Sequence, residues 1–198
     1  TTPKVYFDDI QVYPDLSHGK ALVRMNVKSS SSAKGEITLS AESFNTDTRQ
    51  NVLPVQQTFR IQAGDNRVEM ELPMGKDFLT WDALYKLTAT LNSGKQSEKK
   101  QVQFGMRDFK IEGKWFYVNG RKTMLRGTVE NCDFPLTGYA PMDVASWERV
   151  FRICRNYGLN HMRFHSFCPP EAAFIAADLV GFYLQPEGPS WPNHGPRL

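Results

Sequence analysis

Three polar trios near the end of this chain carry side chains able to bind and activate a small polar molecule: His161, Arg163 and His165; Tyr183, Gln185 and Glu187; Arg126, Thr128 and Glu130. Arginine donates hydrogen bonds to hydroxyl groups, glutamate accepts them, and histidine also moves protons near neutral pH. A spacing of two puts each trio on one side of an extended strand, opposite Met162 and Phe164, Phe182 and Leu184, and Leu125 and Val129. Two readings follow. The polar faces meet at the strand ends as a site for a polar ligand, or they form an ion-pair network, Arg163 with Glu130 or Glu187, because charge leaves water only when paired. A metal site at His161, His165 and Cys168 lacks both a recurring ligand spacing and a fourth ligand, so no metal or cofactor is expected.

Positioning such trios requires strands linked by helices. The pattern predicts strands at 124–131, 161–167 and 182–187, with helices at 144–157 and from Pro169-Pro170 to Gly181. Asp143 suits the N-cap of the first helix, with Met142 and Trp147 at staple positions around it. Trp147, Val150, Phe151 and Cys154 form its apolar stripe, and Gly158 stops it. Proline suits the first turn of the second helix, where Ala173, Phe174 and Ala177 are expected to face inward. Strand-helix-strand-helix-strand with short loops is the rhythm of a parallel barrel or open sheet. Barrel interiors are usually filled by branched apolar side chains, so three polar inner faces favour a ligand site at the C-terminal mouth. A parallel strand also needs cover on both faces and a neighbour on each edge, so a longer polypeptide is expected to complete the sheet.

Before residue 104 the period is two. Ala21, Val23, Met25 and Val27 alternate with Leu22, Arg24 and Asn26; Val68, Met70 and Leu72 alternate with Glu69 and Glu71; Tyr85, Leu87, Ala89 and Leu91 alternate with Lys86, Thr88 and Thr90. Turn signals stand at 29–35, 64–66, 73–75 and 92–94. About seven strands in about 100 residues indicate an immunoglobulin-like β-sandwich over residues 1–104, acting as a spacer or as a contact to sugar or a neighbouring domain. Residues 105–198 then hold a polar hairpin and the start of the barrel, so the expected fold is multidomain, β plus α/β.

Hydrophobic residues make up 40% of the 198 and charged residues 23%, which is ordinary for a globular chain. A net charge of +3 with no block of Lys and Arg argues against nucleic-acid binding. No apolar run is long enough to span a bilayer, and the start TTPKVYFDDI lacks the basic-then-apolar pattern of an export signal. Three cysteines, none before residue 132, argue against a disulfide framework.

Four stretches resemble glycoside hydrolase family 2, the β-galactosidases, β-glucuronidases and β-mannosidases. Trp81-Asp82-Ala83-Leu84-Tyr85-Lys86-Leu87 is similar to "W…P.LY.L", and Phe104-Gly105-Met106-Arg107 to "FG.R". Residues 116–122 followed by Leu125-Arg126-Gly127 are similar to "F.LNGK…LRG", and Gly158-Leu159-Asn160-His161-Met162-Arg163 to "G.N.VR". The resemblance implies a sandwich followed by an eight-stranded (β/α) TIM barrel, truncated here after three strands. It implies a retaining exo-β-glycosidase, β-galactosidase-like, acting on an oligosaccharide or glycoside. Its acid/base and nucleophile glutamates would come from later strands, about 5–5.5 Å apart and beyond Leu198, leaving this chain by itself inactive. The missing domains of the same polypeptide would be its partners, and family habit implies export.

Among the residues present, Arg163 matches the family's strand-two arginine, and His165-Ser166 replaces its "SH". Parity favours His165 as the donor to a sugar hydroxyl. Glu130 and Asn131 stand where the family has "VNRHE", a departure that implies a different substrate. Glu187 ends strand three and matches neither catalytic glutamate. Trp191 either stacks on a sugar face or packs. Arg163, His165, Glu187, Glu130, Asn131 and Trp191 are therefore the expected substrate-binding residues. The competing class is a non-catalytic carbohydrate-binding or cell-surface module, which an incomplete barrel does not explain.

Overall fold

Alternation of apolar and polar residues folds the first part of the chain into two antiparallel sheets. A computed structural model of the protein describes residues 4–80 and 83–188. The strands are β1 (Val5–Asp15), β2 (Lys20–Ser29), β3 (Ala33–Ser43), β4 (Asn51–Ile61), β5 (Gly64–Pro73), β6 (Tyr85–Ser93) and β7 (Gln96–Phe104). One sheet has the order β1-β2-β5 and the other β4-β3-β6-β7, the two-sheet layout of an immunoglobulin-like sandwich. Val23, Met25, Val27, Ile37, Leu39, Leu72, Leu87 and Ala89 fill the space between them and are fully buried. Each large apolar side chain removed from water in this way contributes roughly 1.5–3 kcal/mol, which sets the register of every strand.

Tyr85 belongs to this core. Its ring stacks on Phe104 at 5.4 Å, its hydroxyl accepts the Leu79 N–H at 2.7 Å, and it donates to Gln50. Residues 64–66, read as a turn, open β5 instead. Gly64 takes the left-handed backbone (φ 95°) and Asn66 Oδ1 accepts the Gln62 N–H at 2.8 Å, so the reversal is confined to residues 62 and 63.

A small meander follows: β8 (Phe109–Glu112), β9 (Trp115–Val118) and β10 (Arg121–Thr123). Asn119 and Gly120 both have positive φ, 49° and 73°, which lets a two-residue turn match the strand twist. The contacts divide the chain after Lys122.

The second unit is built from β11 (Gly127–Glu130), α1 (Val144–Asn156), β12 (His161–Phe164), α2 (Glu171–Val180) and β13 (Tyr183–Gln185). Its three strands are parallel, in the order β11-β12-β13. Asp143 caps α1 by accepting the Ser146 N–H at 2.8 Å, and Gly158 (φ 78°) follows its end. Trp147 and Phe151 bury the helix against Met162, Phe164 and the alanines of α2. Phe151 stacks on Trp147 at 5.7 Å and on Phe182 at 5.0 Å.

Two expectations about these helices need correction. Met142 is 70% exposed and makes no staple; Trp147 is held instead by its indole N–H donating to Pro141 O at 2.8 Å and by Phe134. Phe174 is 36% exposed, while Ala172, Ala173, Ala176, Ala177 and Val180 form the buried side of α2. Small side chains let α2 approach the aromatic cluster, and a phenylalanine fits only outside that contact.

Candidate functional site

The three parallel strands are shorter than their sequence patterns. Ser166 leaves β12 with a left-handed backbone (φ 63°), and Pro186 has no N–H with which to extend β13. The polar residues expected at 165 and 187 therefore sit just past the strand ends, in the connections that frame ligand sites in parallel sheets.

Met162, Phe164 and Leu184 pack on the helices, so His161, Arg163, Tyr183 and Gln185 occupy the opposite face. Gly127 pairs in register with His161 and Val129 with Arg163. In a parallel ladder, paired residues share a face. Val129, 49% exposed, thus lies on the polar face, while Thr128 and Glu130 stand in register with Met162 and Phe164. The expected parity of the first strand is therefore reversed. Arg126, expected on the polar face, closes the opposite end of the sheet, its Nε donating to Gly158 O at 2.8 Å. One strand read alone carries no information on its register with the next.

Gly127, the last residue of the Leu125-Arg126-Gly127 stretch, has a packing role that the motif alone does not declare. The His161 imidazole lies across it, so that an added Cβ would overlap Nδ1. The available signal was a glycine inside a strand, which often marks a close approach. Burial pulls the His161 pKa below its ordinary value, opposed by a hydrogen bond with Gln185.

At the C-terminal end four residues meet. Arg163 Nε donates to Glu187 Oε1 at 2.5 Å, and the Ser166 N–H donates to Oε2 at 2.9 Å. His165 Nδ1 lies 3.2 Å from Arg163 Nη2, 3.4 Å from Ser166 Oγ and 3.6 Å from Glu187 Oε2. A guanidinium only donates, so in the contact with Arg163 the acceptor is His165 Nδ1. The bond from Arg163, then that from Ser166, hold the Glu187 carboxyl below the ordinary carboxylate range. Such a cluster sets a cation, an anion and an imidazole side by side at the strand ends.

The remaining candidates are dispersed. Glu130 turns back to its own loop, accepting the Cys132 N–H at 3.0 Å, while its backbone carbonyl accepts from His165 N at 2.8 Å. Of the two ion pairs considered for Arg163, the structure forms the one with Glu187. Asn131 is exposed immediately after β11. Trp191 lies outside the described residues, as does Trp81.

Comparison with known proteins bears on the whole chain. Residues 5–107 match the family model described as Glycosyl hydrolases family 2. A β-galactosidase of Thermoanaerobacterium thermosulfurigenes is 29% identical over 121 residues, covering 59% of this chain and 17% of its own. The chain thus spans about a sixth of that relative's length. A family 2 glycosyl hydrolase of Bacteroides cellulosilyticus superposes with a TM-score of 0.79 at 18% identity, over 94% of this chain and 25% of the other. The β-glucuronidase of Parabacteroides merdae gives 0.73 at 22% identity, over 94% and 24%. That of Dictyoglomus thermophilum gives 0.72 at 20%, over 98% and 32%. Likeness at these identities speaks to fold.

Proposed function

The chain belongs to glycosyl hydrolases family 2, and from that premise we propose that it is the sandwich and opening barrel segment of a retaining exo-β-glycosidase acting on β-galactosides. In this reading β11, β12 and β13 are the first three strands of an eight-stranded barrel. Their helix-free face looks toward its axis, and Arg163 and His165 line the rim of the sugar site as donors to ring hydroxyls. Hydrolysis in this class needs two carboxyl groups about 5–5.5 Å apart, one nucleophile and one acid/base. We assign both to polypeptide beyond Leu198. Glu187 already spends its carboxylate on Arg163 and Ser166, and its lowered pKa is the opposite of what a general acid requires.

The observation that carries the reading is the Arg163–Glu187–His165–Ser166 cluster at the C-terminal end of a parallel sheet, on the face that the helices leave open. The choice of β-galactoside leans on the sequence relative. The experiment is a panel of nitrophenyl β-galactoside, β-glucuronide and β-mannoside offered to the 198-residue chain and to a polypeptide extended past Leu198. The expected outcome is hydrolysis by the extended polypeptide alone, fastest on the galactoside. Turnover by the 198 residues themselves would overturn the assignment of the catalytic pair, and preference for another sugar would overturn the choice of substrate. Tight sugar binding by the short chain, with no hydrolysis by either, would favour a binding module instead.

A further inference from the structure

We propose that Glu187 is a positioning residue of the sugar site and not one of its ligands: its carboxylate clamps the Arg163 guanidinium and the Ser166 backbone, and so holds His165 between them. The inference rests on the sugar-site reading above. Its first support is the use of the carboxylate oxygens. Oε1 accepts from Arg163 Nε at 2.5 Å, and Oε2 accepts the Ser166 N–H at 2.9 Å with His165 Nδ1 at 3.6 Å. A sugar hydroxyl approaching Glu187 would compete with a charge-assisted bond and a backbone donor. The exposures run the same way: the Glu187 side chain is 26% exposed against 40% for Arg163 and 39% for His165. The outer two side chains are the ones a ligand meets first.

The second support is the backbone. Ser166 holds a left-handed conformation, φ 63°, which a residue with a Cβ adopts only when its surroundings compensate. The Ser166 N–H bond to Glu187 Oε2 is one such compensation, and the Glu187 N–H donating to Phe167 O at 3.2 Å is another across the same junction. Side chain and main chain of Glu187 together tie the end of β13 to the β12–α2 connection. The direction in which His165 leaves β12 is set by that tie and by the bond from its own N–H to Glu130 O at 2.8 Å. The lowered pKa of Glu187 agrees with a carboxylate that stays ionised as a fixed acceptor.

The test uses Glu187→Ala and Glu187→Gln, the latter keeping the side-chain volume, with two independent readouts. Nuclear magnetic resonance on the 198-residue chain follows the Arg163 Nε–H signal and the exchange rate of the Ser166 amide. Glu187→Ala is expected to move the first toward a solvent-exposed position and to speed the second severalfold, with Glu187→Gln between it and the parent. Kinetics on the extended polypeptide then compare a nitrophenyl glycoside with its single-deoxy analogues. A positioning role lowers kcat by one common factor across the set and changes KM less. Unchanged Arg163 and Ser166 signals in Glu187→Ala would overturn the clamp. A kcat loss that disappears on one deoxy analogue would overturn it too, because it marks a direct bond to that hydroxyl. If the parent polypeptide hydrolyses no glycoside, the functional reading falls while the resonance experiment still decides the clamp.

Discussion

Replacing Gly127 by alanine tests the arrangement of the open sheet face more directly than any change to a charged residue. Gly127 sits in β11 with extended backbone, so alanine meets no conformational barrier there. The obstacle is His161: the new Cβ would overlap Nδ1 and stand 3.3 Å from Cγ and 3.4 Å from Cε1. The imidazole must then swing away, losing its bond with Gln185 and the shelter that lowers its pKa. Overpacking of this kind costs about 1–3 kcal/mol. Replacing glycine itself returns about 0.4–1 kcal/mol through the unfolded chain. The net expectation is a loss of about 1 kcal/mol, read from amide exchange of β12 by subtracting the second effect from the first. The His161 midpoint should rise toward its ordinary value in the same variant. In a His161→Ala background the sign should reverse, alanine at 127 now stabilising by about 0.4–1 kcal/mol, because only the unfolded-chain effect remains. Gly127→Ala stabilising by about 0.4–1 kcal/mol beside an intact His161, as in its absence, would refute the register on which the face assignment depends.

Phe151→Ala should destabilise the second unit by about 3–5 kcal/mol, since a fully buried ring stacked on Trp147 and Phe182 leaves a cavity the alanines of α2 cannot fill; chemical denaturation followed through the Trp147 indole signal measures it. Tyr85→Phe should cost the sandwich about 1–2 kcal/mol while leaving its ring packing intact, because Gln50 and the Leu79 N–H lose their shared partner; a matched denaturation series checks this. Asp15 should titrate at about 2, held down first by the Ser17 hydroxyl and then by His18. A depressed carboxyl pKa means its contribution is complete above the ordinary value and is lost as pH falls through about 2, so Ser17→Ala should raise the midpoint seen by carbonyl resonance.

The sandwich was legible because one physical signal dominates it. Strands such as 20–29 and 85–93 bury alternate residues between two sheets, so a period of two identifies both the element and its inner face. The same rule held for β12, where Met162 and Phe164 are buried and Arg163 is not. It failed for β11. Leu125 lies before the strand, Gly127 has no side chain to declare a side, and only Thr128, Val129 and Glu130 remain to vote. Their polarity points one way and their pairing with β12 the other. Strand pairing wins, because backbone hydrogen bonds to a fixed neighbour outweigh the preference of a partly exposed valine. Helix α2 misled for a related reason: a phenylalanine next to alanines reads as the core residue until the close approach of the helix excludes it.

Once the register is corrected, the open face has an order along the strands that bears on its chemistry. Gly127, His161 and Tyr183 form one row and Val129, Arg163 and Gln185 the next. Two residues further, past the strand ends, His165 and Glu187 stand over them. The imidazole of the lower row is partly desolvated and seated on a glycine, whereas above it Arg163 is ion-paired with Glu187. Burial without a counter-charge disfavours the charged form, so the lower row tends to neutrality while the upper one keeps its ions. The charged groups of this face therefore gather at the strand ends, Arg163 with Glu187, and His161 of the lower row lies beneath them against Gly127. Glu187 is the residue that joins these roles, being anchored to the loop above and bonded to the arginine that rises from the row below.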